Sequence, residues 1–466
     1  MSLNRREFIR SSAVAGVTLS AGSLLSAHRA AAASVSPRRI GANEKLNVLC
    51  VGVVGTIGAK DRAETARHPN VRIAGLCDVD ANYMARAAKD HPDAFQVKDY
   101  REAFDKHGDK FDAVIVATPD HTHCAIGTLA LSKGKHLYGQ KPLVHQLEEL
   151  TLMRRAVEAN PGLSTQMGNQ RMAAPGRRAA VHVLKTGLLG KAKEAYVITS
   201  SGLNNAGSYF NNREILPVET PPGTLDWDLW QSGVIPQRDY RPGMAPAKWR
   251  AWWDYGSAGL GDWGCHLLDV LFYAYPDLDS PAMVKTEVKD PPTADFHARV
   301  CKAVMTYKLS SPAFAAGEFK IHYSDEGQMP DRAALNLPAG KWPDSNITCV
   351  VCEGGTLVLG APGGLEVWRG GKNEDWTKLE GMPKFEKLNH WHAWIDTALG
   401  KKSEHWSPFP VGLKITESTI LGVKASRFPG EELHWDRAKL TFTNNAEATR
   451  TIVKREYRKG FEPVRS

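Results

Sequence analysis

Leu46-Asn47-Val48-Leu49-Cys50-Val51-Gly52-Val53-Val54-Gly55-Thr56-Ile57-Gly58-Ala59 decides how the chain folds. A compact apolar run of strand type, Leu46 to Val51, enters a glycine turn, after which the polar and apolar residues take a helical pattern. Strand, glycine turn and helix in that order is the context a dinucleotide fingerprint requires, because the helix N-terminus offers free amides and a positive dipole end to a pyrophosphate. The spacing departs from G-x-G-x-x-G: Val54 takes the second glycine position and Ile57 the third. A Cβ at Val54 crowds the phosphate unless the loop is one residue longer, with Gly55 and Gly58 in those two roles. The cofactor candidates here are Gly52, Val54, Gly55, Thr56, Ile57 and Gly58.

A second apolar run, Val71 to Cys77, ends in Asp78-Val79-Asp80, where a carboxylate accepts hydrogen bonds from the adenosine ribose. An acid there repels a 2'-phosphate, and no Arg directly follows, so NAD is favoured over NADP. Ala113 to Ala117 is a third buried strand, and it empties into Thr118-Pro119-Asp120-His121-Thr122-His123. Loops leaving the carboxyl ends of parallel strands bind ligands in such sheets. Lys135 to Tyr138 then leads to Gly139-Gln140-Lys141-Pro142-Leu143. A lysine at that edge, beside a cationic nicotinamide, has its ammonium form disfavoured and can join a proton relay.

Gly259-Leu260-Gly261-Asp262-Trp263-Gly264-Cys265-His266-Leu267-Leu268-Asp269 opens a long helix that ends at Pro276. Asp262 and His266 are four apart and share a helix face, so the carboxylate can fix the imidazole tautomer while the other ring nitrogen meets a substrate.

These pieces together resemble the Gfo/Idh/MocA family of oxidoreductases, named for glucose-fructose oxidoreductase and inositol dehydrogenase. The resemblance rests on the glycine turn, Cys77 to Asp80, Ala117 to His123, Gln140-Lys141-Pro142-Leu143 where the family has Glu-Lys-Pro, and Asp262-x-x-x-His266. It implies an α/β fold: an N-terminal Rossmann doubly wound parallel sheet, then an α+β domain with a large open, mostly antiparallel sheet. It also implies Lys141 and His266 as catalytic, with Asp262 as partner, and places Thr118, Pro119, His121, His123, Gln140 and Lys141 beside the cofactor. The Gln140 departure removes a charge near Lys141.

The expected organisation is a leader at 1–33, a linker at 34–44, the Rossmann domain at 45–165 and the substrate and oligomerisation domain at 166–466. Leu163 to Met172 is the crossover, and Asn169 within it is a further cofactor candidate. Strands are expected at Glu194 to Thr199, Val300 to Tyr307, Ala315 to Tyr323, Ile347 to Val351, Thr356 to Leu359 and Leu365 to Trp368. An insertion from 202 to 261 is rich in turns, and six of the thirteen tryptophans fall between 227 and 263. Because aromatic faces suit apolar sugar C–H patches, Trp249 and Trp263, with Arg250, are substrate candidates. His390, which begins a late helix, is another. His390 and His392 are two apart and point to different faces, which argues against a metal pair, and no metal site is expected. The tail from Glu431 onward reads as mostly polar and irregular.

The leader carries Asn4-Arg5-Arg6-Glu7-Phe8 before an apolar run from Ala13 to Leu25 and small residues to Ala33, the pattern of a twin-arginine export signal. Its removal lowers the formal net charge from +8 to +5. No basic run or stripe remains, which argues against a nucleic-acid partner, and no later stretch resembles a membrane span. Export implies a periplasmic protein that uses the twin-arginine machinery and carries a cofactor inserted beforehand. Seven cysteines scattered through apolar segments argue against a disulfide framework. Cys349 and Cys352, three apart in a strand, face opposite sides and read as packing.

The expected activity is NAD-dependent oxidation of a sugar or glycoside hydroxyl to a ketone with retained cofactor, in a homo-oligomer such as a dimer or tetramer. An NAD-assisted glycoside hydrolase working through a transient ketone is the alternative, and a non-catalytic sugar-binding protein is the third.

Overall fold

The computed structural model describes residues 37–38, 40–41, 44–199, 208–325, 327–342 and 346–465. The expected leader at 1–33, and the part of the insertion at 202–207, lie outside the described residues.

The first layer alternates strand and helix: β1 (Leu46–Val51), α1 (Gly58–Ala66), β2 (Val71–Cys77), α2 (Ala81–Asp90), β3 (Phe95–Val97), α3 (Tyr100–His107), β4 (Ala113–Val116), α4 (His123–Ser132), β5 (His136–Gly139), α5 (Leu147–Ala159) and β6 (Thr165–Met167). The sheet is parallel with strand order β3-β2-β1-β4-β5-β6. All four residues of β4 and five of the six in β1 are buried, because helices cover both faces. This order reverses at β1 and β4, so a crevice opens at their carboxyl ends.

The rest of the chain comprises α6 (Pro175–Lys185), β7 (Ala192–Ile198), α7 (Trp227–Gln231), α8 (Ala258–Ala274), β8 (Met283–Asp290), β9 (Arg299–Lys308), β10 (Glu318–Ser324), β11 (Ile347–Cys352), β12 (Gly355–Gly360), β13 (Leu365–Arg369), β14 (Lys372–Glu374), α9 (His390–Ala398), α10 (Phe409–Ala425), β15 (Glu432–Asp436), β16 (Thr441–Phe442) and α11 (Ala446–Ile452). Its ten-stranded sheet runs β14-β13-β12-β11-β7-β10-β9-β8-β15-β16, antiparallel except where β7 meets β10. The tail expected to be irregular contributes β15, β16 and α11.

Two late helices pack against the first sheet. α10 has fourteen of its seventeen residues buried, and Phe409 at its start lies close enough to β5 that a Cβ on Gly139 would stand 3.0 Å from its ring. α9 sends Trp391, Trp394 and Ile395 into the cluster formed by Val48, Ile115 and Tyr138 of the first sheet. Cys349 packs on one face of β11 with Ile198 and Val358, and Cys352 on the other with Leu357 and Val350 in the main core. No helix among the described residues is long and apolar enough to cross a membrane.

Candidate active site between the two sheets

A cleft of about 450 Å³ begins at the glycine turn and ends at α8. Gly52 adopts φ +82, and a Cβ there would lie 2.6 Å from the Ala117 carbonyl oxygen, so only glycine lets β1 turn this close to the loop after β4. A Cβ on Gly58 would collide with the Gly52 carbonyl. Gly55, at φ +38, has open space where its Cβ would project, and it lines the cleft with Gly52, Thr56 and Ile57. The turn is therefore the longer form, with Gly55 at the open position and Gly58 at the close helix–strand contact. Val54 does not crowd the cleft: its side chain is buried with Val53 and Val48 beneath the turn, and neither Val54 nor Gly58 lines the opening. The cradle fits a dinucleotide pyrophosphate.

At the end of β2, Asp78 lines the cleft, its Oδ2 accepting the Val53 N–H at 2.9 Å and its Oδ1 the Asp80 N–H at 3.0 Å. Burial pushes its carboxyl up to about 6 against those hydrogen bonds. Thr118, Pro119 and His123 also line the cleft. His123 Nδ1 stands 2.7 Å from the Pro142 carbonyl and Nε2 2.8 Å from that of Thr118, tying the loop after β4 to the turn after β5.

That second turn carries Gln140 and Lys141, with a cis peptide between Lys141 and Pro142. Lys141 Nζ meets Asp262 Oδ1 at 2.8 Å, and Arg250 Nε approaches the same oxygen at 3.5 Å. The Arg250 guanidinium also reaches Thr56 Oγ1 at 3.5 Å, bridging the glycine turn to α8. Burial alone would raise the Asp262 carboxyl, but Lys141 and Arg250 together hold it below its ordinary value. His266 lines the same wall one turn along α8. Burial, reinforced by the charges of Lys141, Arg171 and Arg177, lowers its proton affinity well below an ordinary imidazole. Its Nδ1 is buried without a hydrogen-bond partner among the described residues. The expected Asp262–His266 pairing is replaced by Asp262–Lys141, because a buried carboxylate is compensated best by the nearest cation. Lys141, Asp262 and His266 nonetheless stand in one cleft.

Of the substrate candidates, Trp249 and Arg250 line the cleft, with the guanidinium 4.3 Å from the indole centroid. Trp263 is half-buried under the Arg171 guanidinium at 4.9 Å, its ring edge-on to that of His266 with centroids 5.7 Å apart, and it does not itself line the cleft. His390 is buried against Tyr138 and Trp391, off the cleft wall. Asn169 likewise lies off the wall, donating from Nδ2 to the Cys265 carbonyl at 2.7 Å, and the neighbouring Gln170 lines the cleft instead. His121 holds the insertion: its Nε2 meets the Trp230 carbonyl at 3.0 Å, and burial drops its pKa to about 3. Among the described residues, no group of three His, Cys, Asp or Glu could hold a metal ion.

The sequence reading passed over Asp61, in the first turn of α1. It receives Gln140 Nε2 at 2.7 Å, Trp391 Nε1 at 2.9 Å and Tyr138 Oη at 3.5 Å. The only signal for it is Gln140 itself, since an amide where the family has an acid leaves room for an acid opposite. Tyr209, Trp230, Tyr240 and Phe461 were also passed over and line the cleft.

Two family models match in chain order and together cover more than half of the chain: the oxidoreductase family's NAD-binding Rossmann fold over residues 46–165 and its C-terminal alpha/beta domain over residues 177–342. A glycosyl hydrolase family 109 protein 2 of Shewanella sp. (strain ANA-3) is 28% identical over 165 residues, 32% of this chain and 35% of its own length. Inositol 2-dehydrogenase 1 of Saccharopolyspora erythraea is 37% identical over 97 residues, 20% of this chain and 28% of its own. These matches span about a third of the relatives' lengths. An inositol dehydrogenase homologue from Azotobacter vinelandii, crystallised with NADH and myo-inositol, superposes with a TM-score of 0.56 at 17% identity, covering 84% of this chain and 98% of that one, which shows a shared fold. With both domains matched in order, the chain belongs to the Gfo/Idh/MocA family of oxidoreductases.

Proposed function

We propose that the protein oxidises a hydroxyl of a sugar or glycoside to a ketone, using NAD. The observation that carries this reading is the convergence of Lys141, Asp262 and His266 on one wall of a cleft that starts at the glycine turn. The glycine turn and Asp78 would hold NAD, which would supply the hydride acceptor. The unpaired, neutral His266 takes the hydroxyl proton, and Lys141, held by Asp262, donates a hydrogen bond to the oxygen as the carbonyl forms. Trp249 offers an aromatic face to sugar C–H groups and Arg250 a charged donor to its hydroxyls. Two carboxyl groups at the ribose corner, Asp78 and Asp80, disfavour a 2'-phosphate and support NAD over NADP. The leader supports export in the folded state to the periplasm.

The named family 109 hydrolase relative favours a second reading, a glycoside hydrolase in which a transient ketone acidifies the neighbouring C–H so that the aglycone leaves without net redox change. Purified protein incubated with NAD and a panel of glycosides separates the two: a dehydrogenase forms NADH and keto sugar in equal amounts, up to one equivalent per chain where the cofactor stays bound, and a hydrolase releases many equivalents of aglycone with no net NADH. Lys141→Ala and His266→Ala should each abolish turnover by at least a hundredfold. Wild-type rates in both variants would refute the assignment, and sugar binding without any nucleotide binding would leave a non-catalytic sugar-binding protein.

A further inference from the structure

Two segments outside the Rossmann layer meet over the nucleotide end of the cleft. Asp78 follows β2 and Tyr100 opens α3 after β3, whereas Lys141 follows β5, so the strand order puts Tyr100 and Lys141 on opposite sides of β1. Beyond Asp78 the walls are Lys98, Tyr100, Ile126, Leu229, Trp230 and Phe461, a largely aromatic and aliphatic lining suited to a flat heterocycle.

The insertion is fastened there through its main chain. The Ala81 N–H donates to the Thr224 carbonyl at 2.8 Å and the Asp226 N–H to the Val79 carbonyl at 2.9 Å, an antiparallel bridge between Asp80 and Leu225. The C-terminal tail closes the other side. The Arg458 N–H donates to the Gly233 carbonyl at 2.9 Å, and its guanidinium donates to Asp228 at 2.6 Å. Phe461 is 5% exposed, with Arg101 of α3 3.6 Å and Arg458 4.2 Å from its ring centroid. Arg101 also donates to the Gly460 carbonyl at 3.1 Å, and the Val464 N–H to Thr128 Oγ1 at 2.9 Å.

We propose that the insertion and the C-terminal tail build a purine subsite and a two-sided latch that make the dinucleotide a resident group, exchanged only when the bridge at Asp80–Leu225 or the Phe461 plug opens. This rests on the dinucleotide reading above and adds the elements that set the exchange rate. A resident cofactor must be restored within each cycle, so the same cleft must admit either a second, reducible substrate or an intermediate that returns the hydride.

The test uses the full-length protein loaded with NAD, challenged with excess isotope-labelled NAD and sampled over time. Ala81→Pro deletes one bridge donor at the first position of α2, where proline is tolerated, and Asp80 already has the extended backbone that precedes a proline, φ −105 and ψ 114. Phe461→Ala opens the other side. Wild type should keep its NAD through overnight dialysis; Ala81→Pro should exchange about tenfold faster, the order expected for one hydrogen bond of ordinary net strength, and Phe461→Ala, which loses a buried ring, at least as fast. Bound NAD should also slow tryptic cleavage at Lys459 in wild type and lose that effect in Phe461→Ala. Exchange within seconds in wild type, or wild-type rates in two variants that keep their circular dichroism and melting temperature, would overturn the latch while leaving dinucleotide binding intact. No binding of labelled NAD to wild type would overturn the dinucleotide reading and the latch with it.

Discussion

At the residue scale the decisive pair is Lys141 and Asp262. Their 2.8 Å contact gives the lysine one position, and the carboxylate held below its ordinary range keeps that partner ionised at every physiological pH. Asp262→Asn should therefore lower kcat about a hundredfold with a smaller effect on KM, measured by steady-state kinetics, because the lysine loses the carboxylate that aims it at the oxygen that changes charge. His266 leads to a pH prediction. Its proton affinity is depressed by burial and by Lys141, so it stays neutral as pH falls through the ordinary imidazole range. The acid limb of kcat/KM should lie well below pH 6.5, and an apparent pKa at that value would count against His266 as the base. Asp61 has the opposite sense. Burial pushes its carboxyl up to about 7, so the folded protein holds that proton more tightly than the unfolded chain does. Its contribution favours folding below about pH 4 and is lost as pH rises through about 7. Asp61→Asn should flatten the change in urea midpoint across that interval. Gln140→Glu should destabilise by setting two carboxyl groups in contact, and adding Asp61→Asn should restore the midpoint.

At the element scale the glycine turn and α8 do most to place the site. A methyl at Gly58 would meet the Gly52 carbonyl at the point where α1 leaves the turn. Gly58→Ala should cost about 2 kcal/mol of stability by overpacking and weaken NAD binding at least tenfold, checked by denaturant unfolding and by calorimetric titration. Elements differed in how far their sequence revealed them. β1, β2 and β4 are short apolar runs bounded by turn residues, so periodicity found them. α10 carries no polar stripe because fourteen of its residues are buried, and a helix hidden on every side shows no amphipathic period. β8 alternates, with Val284 and Thr286 buried between the more exposed Lys285 and Glu287, but its inward residues include a threonine and it offers no apolar run. β15 and β16 are short and polar, and their pairing with each other and with β8 holds them in the sheet.

On the scale of the whole molecule, the cleft joins elements far apart in the chain. Arg250 of the insertion spans Thr56 and Asp262, Trp391 of α9 donates to Asp61 of α1, and Phe461 near the C-terminus borders the same space. A ligand filling that space bears on both sheets, so returning NAD to cofactor-stripped protein, at a hundredfold excess over its Kd, should stabilise the entire fold by about 2.7 kcal/mol. Differential scanning fluorimetry would show one cooperative transition moving upward by a few degrees. A shift confined to a partial transition would indicate that the two sheets unfold independently. The partition between legible and hidden features follows from this assembly. The chain by itself determined the nucleotide-binding layer, the antiparallel second sheet and the candidates Lys141, Asp262 and His266, because strand runs, glycine turns and helical spacing are local and each residue's chemistry is intrinsic. Only the tertiary structure decided that Asp262 serves Lys141 instead of His266, that Asn169, Trp263 and His390 lie off the cleft wall, and that Asp61 and Phe461 belong to the site's surroundings. Those outcomes depend on which side chains from distant segments share a low-dielectric interior, and a buried charge takes the nearest compensating group whatever its separation along the chain.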